Sequence, residues 1–366
     1  MLKYFGLVFM KKKTIYLSIG IAIIVISSGI VGIYLLVTFF ENETHVDGNQ
    51  TPLGRYGPGT VFDPQLQKTI IFGGGAQDVT GYELFDDMWT YDSTGNIWSK
   101  IVPTNKPSAR AGQTMVYDSF NQKTILFGGW DENIGLMNDT WIYDSQTNQW
   151  TEVFPNISPE NRQSHAMYYD PVFQKVILFG GYKDTLPHFS DTWEYNYSSN
   201  TWSELNPSSS PSGRYGSKMV YDPINQRAIL FGGRSTSILD DTWVYYYGNN
   251  SWSGLITAGS PDTRYWHGMV YDSNNHKVIV FGGRHAGAPG DAIEDTWIFD
   301  PATNQWTEVL PLTHPSNRMD FSMVYDSNSQ KTILFGGFRF PGNTLGDTWT
   351  YTYNSNNWSI VKGSDP

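Results

Sequence analysis

Six copies of one pattern, each about fifty residues long, run through most of this 366-residue chain, and no other feature restricts its fold so much. Phe-Gly-Gly begins at Phe72, Phe127, Phe179, Phe231, Phe281 and Phe335. An arginine stands 17 residues before each phenylalanine: Arg55, Arg110, Arg162, Arg214, Arg264 and Arg318. A proline precedes each arginine by three residues, and an aspartate follows it by eight. Tryptophans nine apart complete every unit, from Trp89 and Trp98 to Trp349 and Trp358, using twelve of the 14 in the chain.

Each unit reads as four antiparallel strands, A to D. In the second, residues 113–117 before Asp118 make strand A, and Lys123–Phe127 make strand B, stopped by the double glycine. Residues 139–143 around Trp141 make strand C, and strand D starts at Trp150 after a polar turn at 145–149. Four strands with one apolar face cannot bury that face alone, so successive units must stack. Radial closure of the stack removes long free edges. The expected fold class is all-β: a six-bladed β-propeller of four-stranded blades over 53–106, 107–158, 159–210, 211–260, 261–314 and 315–366.

The double glycine ending strand B and the spaced aromatics of strands C and D make residues 53–362 resemble the Kelch-repeat family. That resemblance implies close packing between blades at Gly-Gly, with strand A innermost around a channel. A WD40 reading fits less well, because the repeats are longer and no Trp-Asp dipeptide recurs with them. The units begin at strand A and end at strand D. Closure is therefore expected by packing of blade 1 on blade 6, without a strand borrowed from the far terminus.

Ahead of the repeats, Thr14–Phe40 gives 27 residues without a charge, enough to cross a bilayer core of roughly 30 Å. Lys11, Lys12 and Lys13 precede this run, and Glu41 and Glu43 follow it. The positive-inside rule then expects residues 1–13 in the cytoplasm, one transmembrane helix at 14–40, a linker at 41–52 and the propeller outside. A cleaved signal peptide is the bland rival, but the run is too long and no small-x-small site closes it.

Residues 1–40 hold four of the 24 basic residues and none of the 35 acidic ones, so the remainder carries 20 against 35, a formal charge of −15. That field repels a phosphate backbone and argues against a nucleic-acid partner. Seven N-x-S/T sequons permit glycosylation without showing it. The absence of cysteine excludes disulfides and thiolate metal sites.

Spacing within the unit also locates a candidate binding face. Arginine to phenylalanine, tryptophan to tryptophan, and second tryptophan to next arginine are constant at 17, 9 and 12. Only the loop between strands B and C varies in length. Because strands alternate in direction, those loops emerge on the face that carries the arginines, and variable loops on a rigid scaffold are where recognition resides.

The candidate ligand-binding residues are therefore the six arginines, together with Trp130, Tyr182, Arg234, Trp266, His267, Arg284 and Phe338. Trp130 and Trp266 are the two tryptophans outside the pattern, suited to stacking on a sugar or anchoring a peptide, or simply to capping a neighbouring loop. Arginines at this place line the ligand pocket in several Kelch propellers. Every blade has one, however, so for most of the six a scaffold role is expected, paired with a nearby aspartate or capping loop carbonyls. The aspartate before each first tryptophan is expected to hold backbone amides.

His165 and His267 follow their arginines by three and read as packed imidazoles; no metal site and no cofactor is expected. The family's copper radical oxidases need a cysteine–tyrosine crosslink that this chain cannot form, and the Ser-x-Asp-x-Gly-x-Thr-Trp boxes of sialidases are absent. The expected function is a membrane-anchored binding module for a protein or glycan outside the cytoplasm. The alternative is a sugar-active enzyme of the mutarotase or epimerase kind, using the channel mouth.

Overall fold

The computed structural model describes residues 51–78, 81–285, 292–340 and 342–363, all within one compact unit, Gly48–Pro366. The apolar run 14–40 lies outside the described residues, and among those no helix is long and apolar enough to cross a membrane.

Six four-stranded antiparallel sheets follow one another along the chain, each built from one continuous stretch. In blade 2, strands A to D are Thr114–Asp118, Lys123–Asp131, Gly135–Asp144 and Gln149–Val153. The other sheets run over Gly59–Ile101, Ala166–Leu205, Lys218–Gly254, Gly268–Val309 and Ser322–Lys362. Strand B is apolar on both faces, as a central strand between neighbouring blades must be. Strand D alternates, burying Trp150 while Gln149 and Thr151 stay exposed, because one of its faces meets solvent. The aspartate ending strand A makes the tight A–B turn: Asp118 Oδ1 accepts the backbone N–H of Phe120 and Asn121, both at 3.0 Å.

Strand A of each blade packs beside strand A of both neighbours, and this inner ring closes between Ser322–Asp326 and Gly59–Asp63. The core is a set of inter-blade layers. One joins Val61, Ile70 and Phe72 of blade 1 to Leu126 and Trp150 of blade 2; another joins Trp98 of blade 1 to Phe335 of blade 6. The second tryptophan of each pair is buried, whereas the first is only half-buried in blades 2, 4 and 5.

The double glycine acts between blades. The second glycine N–H donates to the repeat arginine's carbonyl in the next blade, as Gly74 to Arg110 at 2.8 Å, and Gly337 closes the circle onto Arg55 at 2.8 Å. Both glycines have positive φ, and a Cβ on Gly128 would lie 2.7 Å from the Arg162 carbonyl oxygen. No other residue fits there. A second staple runs from the strand D indole to the preceding blade: Trp252 Nε1 donates to Thr192 Oγ1 at 3.0 Å, and Trp98 Nε1 to Thr348 Oγ1 at 2.9 Å across the closure. Blade 1 has Met88 where the others have threonine, and Trp150 Nε1 consequently has no acceptor.

Candidate functional site

The six arginines do not ring the mouth with available guanidinium groups, which corrects their placement among the ligand-binding candidates. Each is buried to within 1% of full burial. Arg162 shows the pattern: Nε donates to Glu160 O at 2.9 Å, Nη1 to Gly180 O at 2.9 Å, and Nη1 and Nη2 to the Asp191 carboxylate at 2.7 Å each. Arg55, Arg110, Arg214, Arg264 and Arg318 repeat it with Asp87, Asp139, Asp241, Asp295 and Asp347. Those aspartates also take the indole N–H of the first tryptophan, at 2.7 Å for Trp193, rather than backbone amides. The arginine thus locks strand A to the end of strand B and the start of strand C.

What faces the mouth are the residues beside these locks. The residue after each arginine pairs antiparallel with the residue after each Gly-Gly: Tyr56 with Gly75, Ala111 with Trp130, Gln163 with Tyr182, Tyr215 with Arg234, Tyr265 with Arg284, and Met319 with Phe338. Nine of these twelve ladder residues, all but Gly75, Arg234 and Tyr265, wall a funnel of about 490 Å³ whose rim is raised by Gln77, Tyr82 and Phe340 from the B–C loops. The walls are mainly aromatic. Ring centroids of Tyr82 and Trp130 are 5.7 Å apart, Tyr56 and Phe338 6.0 Å, and Tyr215 and Trp266 5.9 Å.

At the neck, the residue two beyond each arginine closes a backbone ring. Gly112 N–H donates to Gly57 O, Ser164 to Gly112, Gly216 to Ser164, Trp266 to Gly216, Asp320 to Trp266 and Gly57 to Asp320, all at 2.7–2.8 Å. Every one has a left-handed backbone with φ between 53° and 72°. Three blades use glycine; Ser164, Trp266 and Asp320 hold the same conformation with side chains, which a bulky residue adopts only when its surroundings impose it.

Below the neck the channel narrows to about 30 Å³, lined among others by Ser164, His165, Lys218 and Asp320. Lys218 and Asp320 are half-buried in the channel wall. Burial pushes the Asp320 carboxyl up to about 6, against the pull of Lys218, whose own ammonium is shifted down by burial. Burial, then the neighbouring arginine and Lys218, hold His165 and His267 well below the usual imidazole range. His267 packs edge-on against Phe231 at 5.4 Å, and neither of its ring nitrogens has a protein partner.

Of the expected candidates, Trp130, Tyr182, Trp266, Arg284 and Phe338 line the funnel together. Arg234 stands beside it, donating to the Tyr265 hydroxyl at 3.2 Å, and His267 lies behind the wall. Sequence reasoning missed Tyr56, Tyr82, Tyr215, Phe340 and Asp320. The signal was available for three of them: the two positions after each fixed arginine vary from unit to unit, as Tyr56 and Gly57 against Met319 and Asp320. The opposite face also carries more than bare turns. Phe120 and Ile224 are exposed by 62% and 64% on the A–B turns, with Val172 and Phe173 between them in blade order. Among the described residues no group of three His, Cys, Asp or Glu could hold a metal ion.

Comparison with known families now decides the lineage. The profile described as the KLHDC2/KLHL20/DRC7 Kelch-repeats domain matches residues 37–233 and 221–366. The chain belongs to the Kelch-repeat family. Among curated proteins this Kelch chain is similar to Mei4-dependent protein 6 of Schizosaccharomyces pombe, at 30% identity over 122 residues. That stretch is 31% of the Kelch chain and spans only 17% of the relative. Kelch propellers of this kind are generally protein-binding modules.

Proposed function

We propose that the chain is a binding module that docks a protein on the arginine-side mouth of its propeller, tethered to a membrane by residues 14–40 with the propeller outside the cytoplasm. The observation that carries the docking reading is the 490 Å³ funnel, walled by aromatics drawn from the variable positions of a fixed repeat. Large, rigid aromatic side chains around a concavity give contact area at low conformational cost, the composition of interface hot spots. The membrane reading is supported by the 27 uncharged residues after Lys11–Lys13. A glycan ligand is the second occupant such walls suit. The sugar-active enzyme reading is weaker, because Asp320 is the sole carboxylate among the described residues lining the funnel.

Affinity capture from the native membrane fraction, followed by reconstitution with the captured protein, tests the docking reading. Trp130→Ala in the wall and Tyr82→Ala on the rim should weaken the reconstituted complex at least tenfold while leaving the melting temperature unchanged. A partner bound equally by both variants contradicts it, and retention of both variants on immobilised glycans but on no protein would select the glycan.

A further inference from the structure

The funnel is polarised. One half, from blades 6, 1 and 2, holds Tyr56, Tyr82, Trp130 and the Asp320 carboxylate, with the negative charges of Asp131 and Glu132 acting on Tyr82. The other half, from blades 4 and 5, holds Arg284, with Arg234 beside the funnel across Tyr265; their guanidinium carbons lie 5.9 and 5.5 Å from the Tyr265 ring centroid. These two cations are already engaged: Arg234 also donates to the Tyr265 hydroxyl, and Arg284 lies 5.1 Å from the Phe340 ring. Asp320 is in the contrary state. Among the described residues no side chain or backbone donor hydrogen-bonds its carboxylate, and no cation comes within 4.0 Å of it.

Its position is built rather than incidental. Asp320 is one of the six neck residues, with φ of 53° and both backbone groups tied into the closed ring. The glycine at the next ring position, Gly57, leaves it room: a Cβ there would lie 3.0 Å from Asp320 Oδ2. Lys218 faces it from deeper in the channel, too far for an ion pair but close enough to favour its ionised form. An enclosed carboxylate without donors is costly when nothing occupies its open side.

We propose that this half of the funnel is a cation site, which takes the ammonium of a lysine side chain from the protein partner onto Asp320, with the lysine stem along the Tyr56–Tyr82–Trp130 wall. The proposal rests on the protein-docking reading and names the chemistry recognised there. Aromatic faces attract a cation through their quadrupole, and a lysine stem buries methylenes while its head stays polar. Below the neck the channel holds only about 30 Å³ and is faced by Lys218, so the cation is not accommodated there. A lysine ammonium is a compact point charge on a flexible stem, which suits a single carboxylate reached from the mouth. Lys218 balances Asp320 from below, so the incoming cation meets the carboxylate only from the mouth side.

The titratable groups facing Asp320 are Lys218 from blade 4, His165 from blade 3 and Tyr56 from blade 1. Burial disfavours the charged forms of His165 and Tyr56 and shifts the Lys218 ammonium down, so a response between pH 5 and 8 is assigned to Asp320 by its absence in Asp320→Asn. Because its carboxyl is raised to about 6, cation binding should be full above that pH and fall about tenfold per unit below it.

Fluorescence anisotropy on the full chain tests this with three labelled, end-blocked peptides, Gly-Ser-Lys-Ser-Gly and its counterparts with norleucine or glutamate in place of lysine. The lysine peptide is expected to bind at least tenfold more tightly than the norleucine peptide, and the glutamate peptide most weakly. Asp320→Asn should erase that preference, with an unchanged circular-dichroism spectrum showing that the variant is folded. Equal binding of all three peptides, each weakened alike by Trp130→Ala, would overturn the cation site and leave the docking reading standing. A lysine peptide that binds no better than norleucine, or does not bind at all, also overturns it. Failure of the docking reading shows differently, as a captured protein that is indifferent to Trp130→Ala and Tyr82→Ala.

Discussion

Each repeat arginine spends its donors inside the blade, so its removal should be felt as stability rather than as binding. Arg162→Met leaves the Asp191 carboxylate and the Gly180 carbonyl without their partner. Breaking such a pair costs about 3–5 kcal/mol, which a shift in the urea midpoint would show. The indole staple is a smaller quantity: Thr192→Val keeps shape but orphans Trp252 Nε1, for about 1–2 kcal/mol. His267 gives the pH dependence. Burial holds its folded-state imidazole well below the ordinary value, so below about pH 6.5 the unfolded chain takes up a proton that the folded one does not. Stability should therefore fall with acid, by about 1.4 kcal/mol per pH unit for this group. His267→Phe, matching Phe321 at the same place in blade 6, should flatten that part of the acid limb in denaturation curves at pH 4.5–7. A parallel acid limb in the variant would contradict the assignment.

At the scale of strands and loops, the sequence made the architecture readable because one pattern is repeated six times and its constraints are local. Gly-Gly must end strand B where the next blade's arginine carbonyl approaches, so Gly128→Ala should destabilise by about 2–4 kcal/mol in thermal melts. Variable loop length also pointed to the funnel face, and Trp130, Tyr182, Trp266, Arg284 and Phe338 do meet there. What remained illegible has a geometric cause. Fixed arginines drew attention to the invariant position, whereas the funnel is lined by the residue beside it, turned to the mouth by the bridge between Tyr56 and Gly75 and its five equivalents. Tyr82 and Phe340 owe their places to loop conformations that spacing alone does not encode. The exposed apolar turn residues Phe120, Val172, Phe173 and Ile224 carry no length signal, because their turns have the same length in every blade. Trp141 is half-buried whereas Trp150 is fully buried, so truncation of Trp150 to alanine should cost the more, about 3–5 kcal/mol.

Across the whole molecule, closure of six blades converts a chain of weakly independent sheets into one body, with Trp98, Gly337 and Ser322 joining its two ends through Thr348, Arg55 and Thr60. A funnel made by all six blades exists only when that circle is complete, so partner binding and the global fold should be lost together in denaturant. The tether has its own test: protease added to intact cells expressing the chain should release a fragment close to the full propeller if residues 14–40 span the membrane with the propeller outside, and complete protection would reverse that topology. The most direct measurement of the central claim is site-specific photo-crosslinking in the same cells. A benzoylphenylalanine is placed at Trp130 in the funnel wall or Phe340 on its rim, and at Phe120 or Phe173 on the opposite turns. Docking at the mouth predicts protein adducts from the first two positions and none from the second two. Adducts confined to positions 120 and 173 would put the partner on the other face of the propeller.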